Sequence, residues 1–137
     1  MDTLSKAHRS WNMSRIRSTN TKPELIVRSL LHRNSYRFGL HRNDLPGKPD
    51  IVLPRYHVAI LVHGCFWHRH TGCILTTSPK TNVDFWMHKF ADNVVRDKRN
   101  LKALRALGWK PVIVWQCQTA DEAKLKEDLI RQIHSEL

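Results

Sequence analysis

The chain has 137 residues, 41% of them hydrophobic and 26% charged, and its 23 Lys plus Arg outnumber 12 Asp plus Glu for a formal charge of +11 at pH 7. That size suits one domain with one compact core, and five Trp with abundant aliphatics exclude an intrinsically disordered chain. Apolar runs are too short for a transmembrane helix or a signal-peptide core, so the expected compartment is the cytoplasm or nucleoid.

Residues 1–20 are polar and basic with Trp11, Met13 and Ile16 interspersed, which reads as an arm that orders on a partner. Thr21-Lys22-Pro23-Glu24 then opens a helix: Thr21 is the expected N-cap, Glu24 the reciprocal acid of a capping box, and Pro23 suits the first turn. Leu25, Val27, Leu30 and Leu31 carry that helix to about His32. A strand is expected at Tyr36-Arg37-Phe38, then a turn-rich stretch from Asn43 to Pro49. Two further strands follow, Asp50 to Leu53 and His57 to Val62, joined by a link short enough for a hairpin.

Residues 63–82 read as irregular. From Val83 to Leu107 the residues Met87, Phe90, Val94, Leu101 and Leu104 recur at helical spacing, and Gly108 is the expected C-cap. Lys110 to Trp115 is a buried strand, and Ala120 to Leu137 an amphipathic helix. A helix crossing between the third and fourth strands allows parallel pairing, so the expected fold is α/β with a mixed sheet. The expected organisation is a basic arm, 1–20, and a single domain, 21–137.

The basic surplus is concentrated before the last helix: residues 1–117 carry 20 basic and 7 acidic groups, residues 118–137 carry 3 and 5. Such a field concentrates polyanions, which makes nucleic acid the leading partner over mere solubility. Within the basic part, Asp50 is the only acid between Leu45 and Val83. A carboxylate there is an ion-pair partner, a turn cap, or a site for a hard cation. A hairpin would bring Asp50 near the backbone of Val62 and the ring of His63, an arrangement that suits Mg²⁺ with an imidazole to activate water.

His63-Gly64-Cys65-Phe66-Trp67-His68-Arg69-His70-Thr71-Gly72-Cys73 packs three His and two Cys into eleven residues. Three cysteines cannot all pair, and thiols with imidazoles in a reducing compartment point to a metal. Cys65, Cys73 and one loop histidine together with Cys117, just past the last strand, would complete a tetrahedral zinc shell. His70 is the best-spaced histidine, which leaves His63 and His68 for other work. The alternative is buried free thiols with surface histidines. Phe66 and Trp67, with Phe85-Trp86 at the start of the long helix, either wedge between base steps of DNA or roof the loop and complete the core.

The segments Leu45-Pro46-Gly47-Lys48-Pro49-Asp50, His63-Gly64-Cys65-Phe66-Trp67-His68, Asn93-Val94-Val95-Arg96-Asp97, and Gly108-Trp109 through Trp115-Gln116-Cys117 resemble the very-short-patch repair (Vsr) endonucleases. The resemblance runs in order from about Asn12 to Cys117, and the string from His63 to His68 is its most specific part. It implies a restriction-endonuclease-like α/β fold with a zinc-stapled loop, and strand nicking 5′ to the thymine of a T·G mismatch. Asp50 would bind catalytic Mg²⁺ with Val62, and His68 would be the general base. His63 would be a second catalytic imidazole and Glu24 a supporting acid.

The same resemblance assigns Cys65, His70, Cys73 and Cys117 to structural Zn²⁺, and Phe66, Trp67, Trp86 and Met13 to insertion beside the mismatch. The implied partner is double-stranded DNA carrying a T·G mismatch in the bacterial cytoplasm; contact with mismatch-repair proteins is left open, and a monomer is expected because no face is left obviously apolar. Three places depart from the best-known pattern: Val62 stands in place of a Thr, Arg69 in place of a His, and Thr71-Gly72 where the family often has further His. Competing readings are a related nickase of other specificity and a non-catalytic, zinc-containing DNA-binding module.

Overall fold

A computed structural model describes residues 20–73 and 75–135. The arm up to Thr19, and with it Met13, lies outside the described residues. The described elements are helix α1 (Lys22–Arg33), strands β1 (Gly39–Leu40), β2 (Ile51–Leu53) and β3 (Val58–His63), helix α2 (Val83–Ala106), strand β4 (Lys110–Trp115) and helix α3 (Glu122–His134). They form one four-stranded mixed sheet in the order β1-β2-β3-β4. β1 to β3 pair antiparallel, the β2–β3 link being a tight 3₁₀ turn at Pro54–Tyr56. β4 lies parallel to β3 because α2 carries the chain back across the sheet.

Alternation along the strands sorts the side chains between two layers. Ile51, Leu53, Val58, Ile60, Val112 and Val114 meet Val27, Leu30 and Leu31 of α1 and Leu125, Leu129 and Ile133 of α3. Val52, Ala59 and Leu61 face the other way, onto Leu45 and Leu104, with Leu101 and Trp109 at the margin. Helices on both faces explain why β2 and β3 are almost continuously apolar.

Several boundaries differ from those expected. The strand after α1 forms at Gly39–Leu40 instead of Tyr36–Phe38, because Tyr36 is still finishing the helix: its N–H donates to the carbonyl of Leu31 at 3.0 Å. The Tyr36 hydroxyl lies 2.7 Å from His134 Nε2, tying α1 to the end of α3. Leu25 and Met87 are exposed, at 47% and 44%, so the buried stripes of α1 and α2 are narrower than the apolar spacing suggests. The last helix starts at Glu122, since the chain first makes a 3₁₀ turn at Gln116–Ala120 and Asp121 then caps α3 by accepting from Lys124 N–H.

The turn before β2 sets the site. Gly47 has φ +74°, and a Cβ there would stand 3.1 Å from Cβ of Asn100. Both the left-handed backbone and the close approach to α2 require glycine. Gly47 thus lies against Asn100 of α2, and Asp50 lines a cleft with Arg96, Asp97 and Asn100 of that helix.

Candidate active site and metal centre

Asp50 sits at the entrance to β2, and its Oδ2 accepts the Val62 N–H of β3 at 2.7 Å. Burial pushes its carboxyl up to about 6, with the Val62 N–H working in the opposite direction and nearby Glu24 adding to the rise. Glu24 is 1% exposed, and its Oε2 lies 2.9 Å from His41 Nε2 and 3.3 Å from Arg28. Ligand-capable atoms of Glu24, His41 and Asp50 lie within 4.8 Å of one another, a donor set that could hold a metal ion. Glu24 also caps α1, but through Asn20 N–H at 3.1 Å instead of the reciprocal bond to Thr21. Capping therefore occupies Oε1 and leaves Oε2 for the His41–Asp50 group.

At the end of β3, the loop from Gly64 turns back through the bond from His68 N–H to the Gly64 carbonyl, so that the His68 ring stacks on His63 at 3.8 Å and 7°. His68 Nδ1 lies 2.6 Å from Oδ2 of Asp97 on α2. Burial, then the neighbouring His68, pulls His63 down to about 4, so His63 is neutral at pH 7. His63 Nδ1 is a buried polar atom with no partner among the described residues. Such an atom costs about 1–3 kcal/mol unless a ligand or solvent satisfies it, and active sites are where it is tolerated. Asp50, Val62, His63, His68 and Asp97 line one cleft of about 380 Å³, with Lys48 and Arg96 on its walls.

Beside the cleft, Cys65, His70, Cys73 and Cys117 place one ligand atom each within 4.8 Å of the others. His70 Nδ1 lies 3.4 Å from Cys117 Sγ and 3.7 Å from Cys65 Sγ, close to the edge of about 3.6 Å that a tetrahedral ion with Cys and His ligands requires. The donor set, three sulfurs and one ring nitrogen, fits a thiophilic ion. Burial holds the Cys65 thiol up at about 11, whereas the Leu75 N–H lowers Cys73. A bound cation would remove the cost of ionising the buried sulfur.

The register of the parallel strands assembles this cluster. His63 of β3 is paired with Trp115 of β4, so Cys65 and Cys117, each two residues further on, leave the sheet at the same end. Trp115 fills the space between the two centres, stacked on His70 at 4.2 Å and edge-on to His63 at 5.3 Å. On the outer side, Phe66 meets Trp67, Trp86 and Phe90 at ring distances of 5.1, 6.0 and 5.2 Å. Asn93 of α2 donates to the Trp67 carbonyl.

A family model described as DNA mismatch endonuclease Vsr matches residues 1–74. The chain is 49% identical over 132 residues to the type II nicking enzyme V.XorIIP of Xanthomonas oryzae pv. oryzae, covering 93% of this chain and 96% of that protein. It is 39% identical over 131 residues to the DNA mismatch endonuclease Vsr of Escherichia coli, covering 96% of this chain and 83% of that protein. The type II nicking enzyme V.NmeAIP of Neisseria meningitidis is 38% identical over 132 residues. The chain belongs to the Vsr family.

As a DNA endonuclease of the Vsr family, it gathers its expected residues into three adjoining groups. Asp50, His63 and His68 share the cleft, with Glu24 behind Asp50. Cys65, His70, Cys73 and Cys117 converge as one cluster, and Phe66, Trp67 and Trp86 as one aromatic group. Val62 meets Asp50 through its N–H. Three contributors escape a reading of the residues alone. Asp97 lies between Arg96 and Lys98 in a segment to which no site role is given; His41 lies just before the turn-rich stretch; Trp115 ends the strand expected to be buried. Only the fold shows Asp97 meeting a histidine 29 positions away, and Trp115 meeting two. Among the described residues no helix is long and apolar enough to cross a membrane.

Proposed function

We propose that this chain is a Mg²⁺-dependent mismatch nickase that cuts one strand 5′ to the thymine of a T·G pair, acting as a monomer on bacterial cytoplasmic DNA. We place the domain, residues 21–137, among the restriction-endonuclease-like folds, with residues 1–20 as an arm that assists at the DNA through Met13. The observation that carries the reading is the sharing of one cleft by Asp50, His63 and the His68–Asp97 pair, with an aromatic group on the adjoining loop.

Asp50 and the Val62 carbonyl would hold Mg²⁺, Glu24 supporting Asp50 from behind; in an extended strand the carbonyl leaves on the same side as the N–H that meets Asp50. Bound there, the ion supplies Lewis-acid stabilisation of charge on the scissile phosphate. Asp97 accepts from His68 Nδ1–H, which fixes the tautomer and leaves Nε2 with a lone pair for a proton from water. Neutral His63, stacked on His68 in the same cleft, would be the second imidazole near the phosphate. Cys65, His70, Cys73 and Cys117 would hold Zn²⁺ as a structural staple. Phe66, Trp67 and Trp86 would enter the stack beside the mismatch, where a poorly stacked pair makes insertion less costly than in intact duplex.

The test is a panel of end-labelled duplexes carrying every mismatch and a matched control, with and without Mg²⁺. A single nick beside the thymine of T·G, absent in chelator, is the expected result. Equal cutting of matched duplex would replace the reading with a nickase of other specificity, and binding without nicking in Mg²⁺ or Mn²⁺ with a non-catalytic module. Asp97→Asn should lower kcat by about 10²–10⁴-fold, since the amide no longer imposes the productive tautomer on His68. Single-turnover nicking at saturating enzyme measures it; an unchanged rate would remove Asp97 from the mechanism.

A further inference from the structure

Arg69 sits on the loop between His68 and His70 with a left-handed backbone, φ +54°. Its guanidinium carbon lies 4.1 Å from the ring centroid of Phe90 and 5.6 Å from that of Phe66. Its Nη1 donates to the Thr77 carbonyl at 2.9 Å and to the Phe66 carbonyl at 3.3 Å. Phe90 is buried and forms the floor of the aromatic group: Trp86 stacks on it at 5.7 Å and Phe66 stands edge-on to it at 5.2 Å. One cation thus touches the ring and carbonyl of Phe66, the floor under Trp86, and the segment leading into α2.

We propose that Arg69 is a positioning residue for mismatch recognition, holding Phe66 and Trp86 in insertion geometry before DNA arrives. The proposal rests on the wedge role given to those rings above. Ordering a side chain on binding costs free energy, so a wedge clamped in advance strengthens the complex in which it inserts. Matched duplex, held through its phosphates, gains nothing from that clamp. Arg69 therefore sharpens the difference between mismatched and matched DNA while adding little to phosphate attraction, since its planar cation is engaged by rings and carbonyls. Lysine keeps the charge and much of the stem but lacks the planar guanidinium that lies over Phe90 while its Nη1 meets both the Phe66 and Thr77 carbonyls.

Full-length Arg69→Lys and Arg69→Gln, with T·G and matched duplexes, test this. The expected result is a KM for T·G duplex raised about tenfold with a smaller change in kcat. Binding of matched duplex with Mg²⁺ withheld, and its salt slope, should stay at the wild-type values. Equal weakening on both duplexes with a salt slope reduced by about one would make Arg69 a phosphate contact and overturn the proposal. So would an unchanged KM with kcat reduced in step with the folded fraction, measured by thermal unfolding, which is the signature of a merely structural arginine. Should Arg69→Gln not fold, the Arg69→Lys comparison decides alone. A wild-type protein that does not distinguish the two duplexes would instead overturn the wedge reading itself.

Discussion

Asp50→Ala is expected to reduce nicking of a T·G duplex by about 10³-fold or more, because it removes the cleft carboxylate that meets Val62 of β3. The fold should survive. Burial raises the Asp50 carboxyl to about 6, above its ordinary value, so the ionised side chain is a strain on the metal-free protein at neutral pH. Stability from this group is greatest below the ordinary carboxylate pKa and is lost as pH rises through about 6. Removing the carboxyl removes that penalty but leaves the Val62 N–H without its acceptor, so the melting temperature of metal-free Asp50→Ala at pH 7.5 should stay close to that of wild type. Asp50→Asn, which keeps an acceptor for the Val62 N–H, should be equally inactive, separating the charge from the hydrogen bond. Nicking by Asp50→Asn within tenfold of wild type would refute the metal-ligand role.

Cys117→Ser is expected to carry the second large effect, on stability first. Hydroxyl in place of thiolate breaks the set of three sulfurs and His70, and with it the link that ties the end of β4 to the loop after β3. Loss of a structural metal should cost more than about 3 kcal/mol. Elemental analysis should fall from about one zinc per chain to well below that, with a matching drop in melting temperature. Exhaustive chelation of wild type should reproduce the drop, whereas withholding Mg²⁺ should not. Because Trp115 stacks on His70 and meets His63 with its edge, release of His70 also loosens the stack that holds His63 and His68. The remaining folded protein should therefore nick more slowly per molecule. A variant that keeps both its metal and its melting temperature would contradict the assignment.

The linear order of residues determined much of this. Thr21, Pro23 and Gly108 mark helix ends through local backbone chemistry, and the two runs flanking Pro54-Arg55-Tyr56 can only fold back on each other. The loop from His63 to Cys73 offers by composition alone a set of donors that could hold a metal, and a lone acid in a basic segment marks Asp50 as a candidate. These signals are legible because each depends on neighbours within a few positions, or on an unusual density of one residue type. The tertiary structure decided the rest. That β3 and β4 align His63 with Trp115 brings Cys65 and Cys117 together, and a shift by one residue would turn those side chains to opposite faces. That α2 packs against the sheet, with Leu104 buried on Val52, Ala59 and Leu61, presents Asp97 to His68 and Phe90 to Arg69. Glu24 shows both levels in one side chain: its place as a cap is local, but its burial beside His41 and Asp50 follows from α1 packing on a sheet whose register no local pattern encodes.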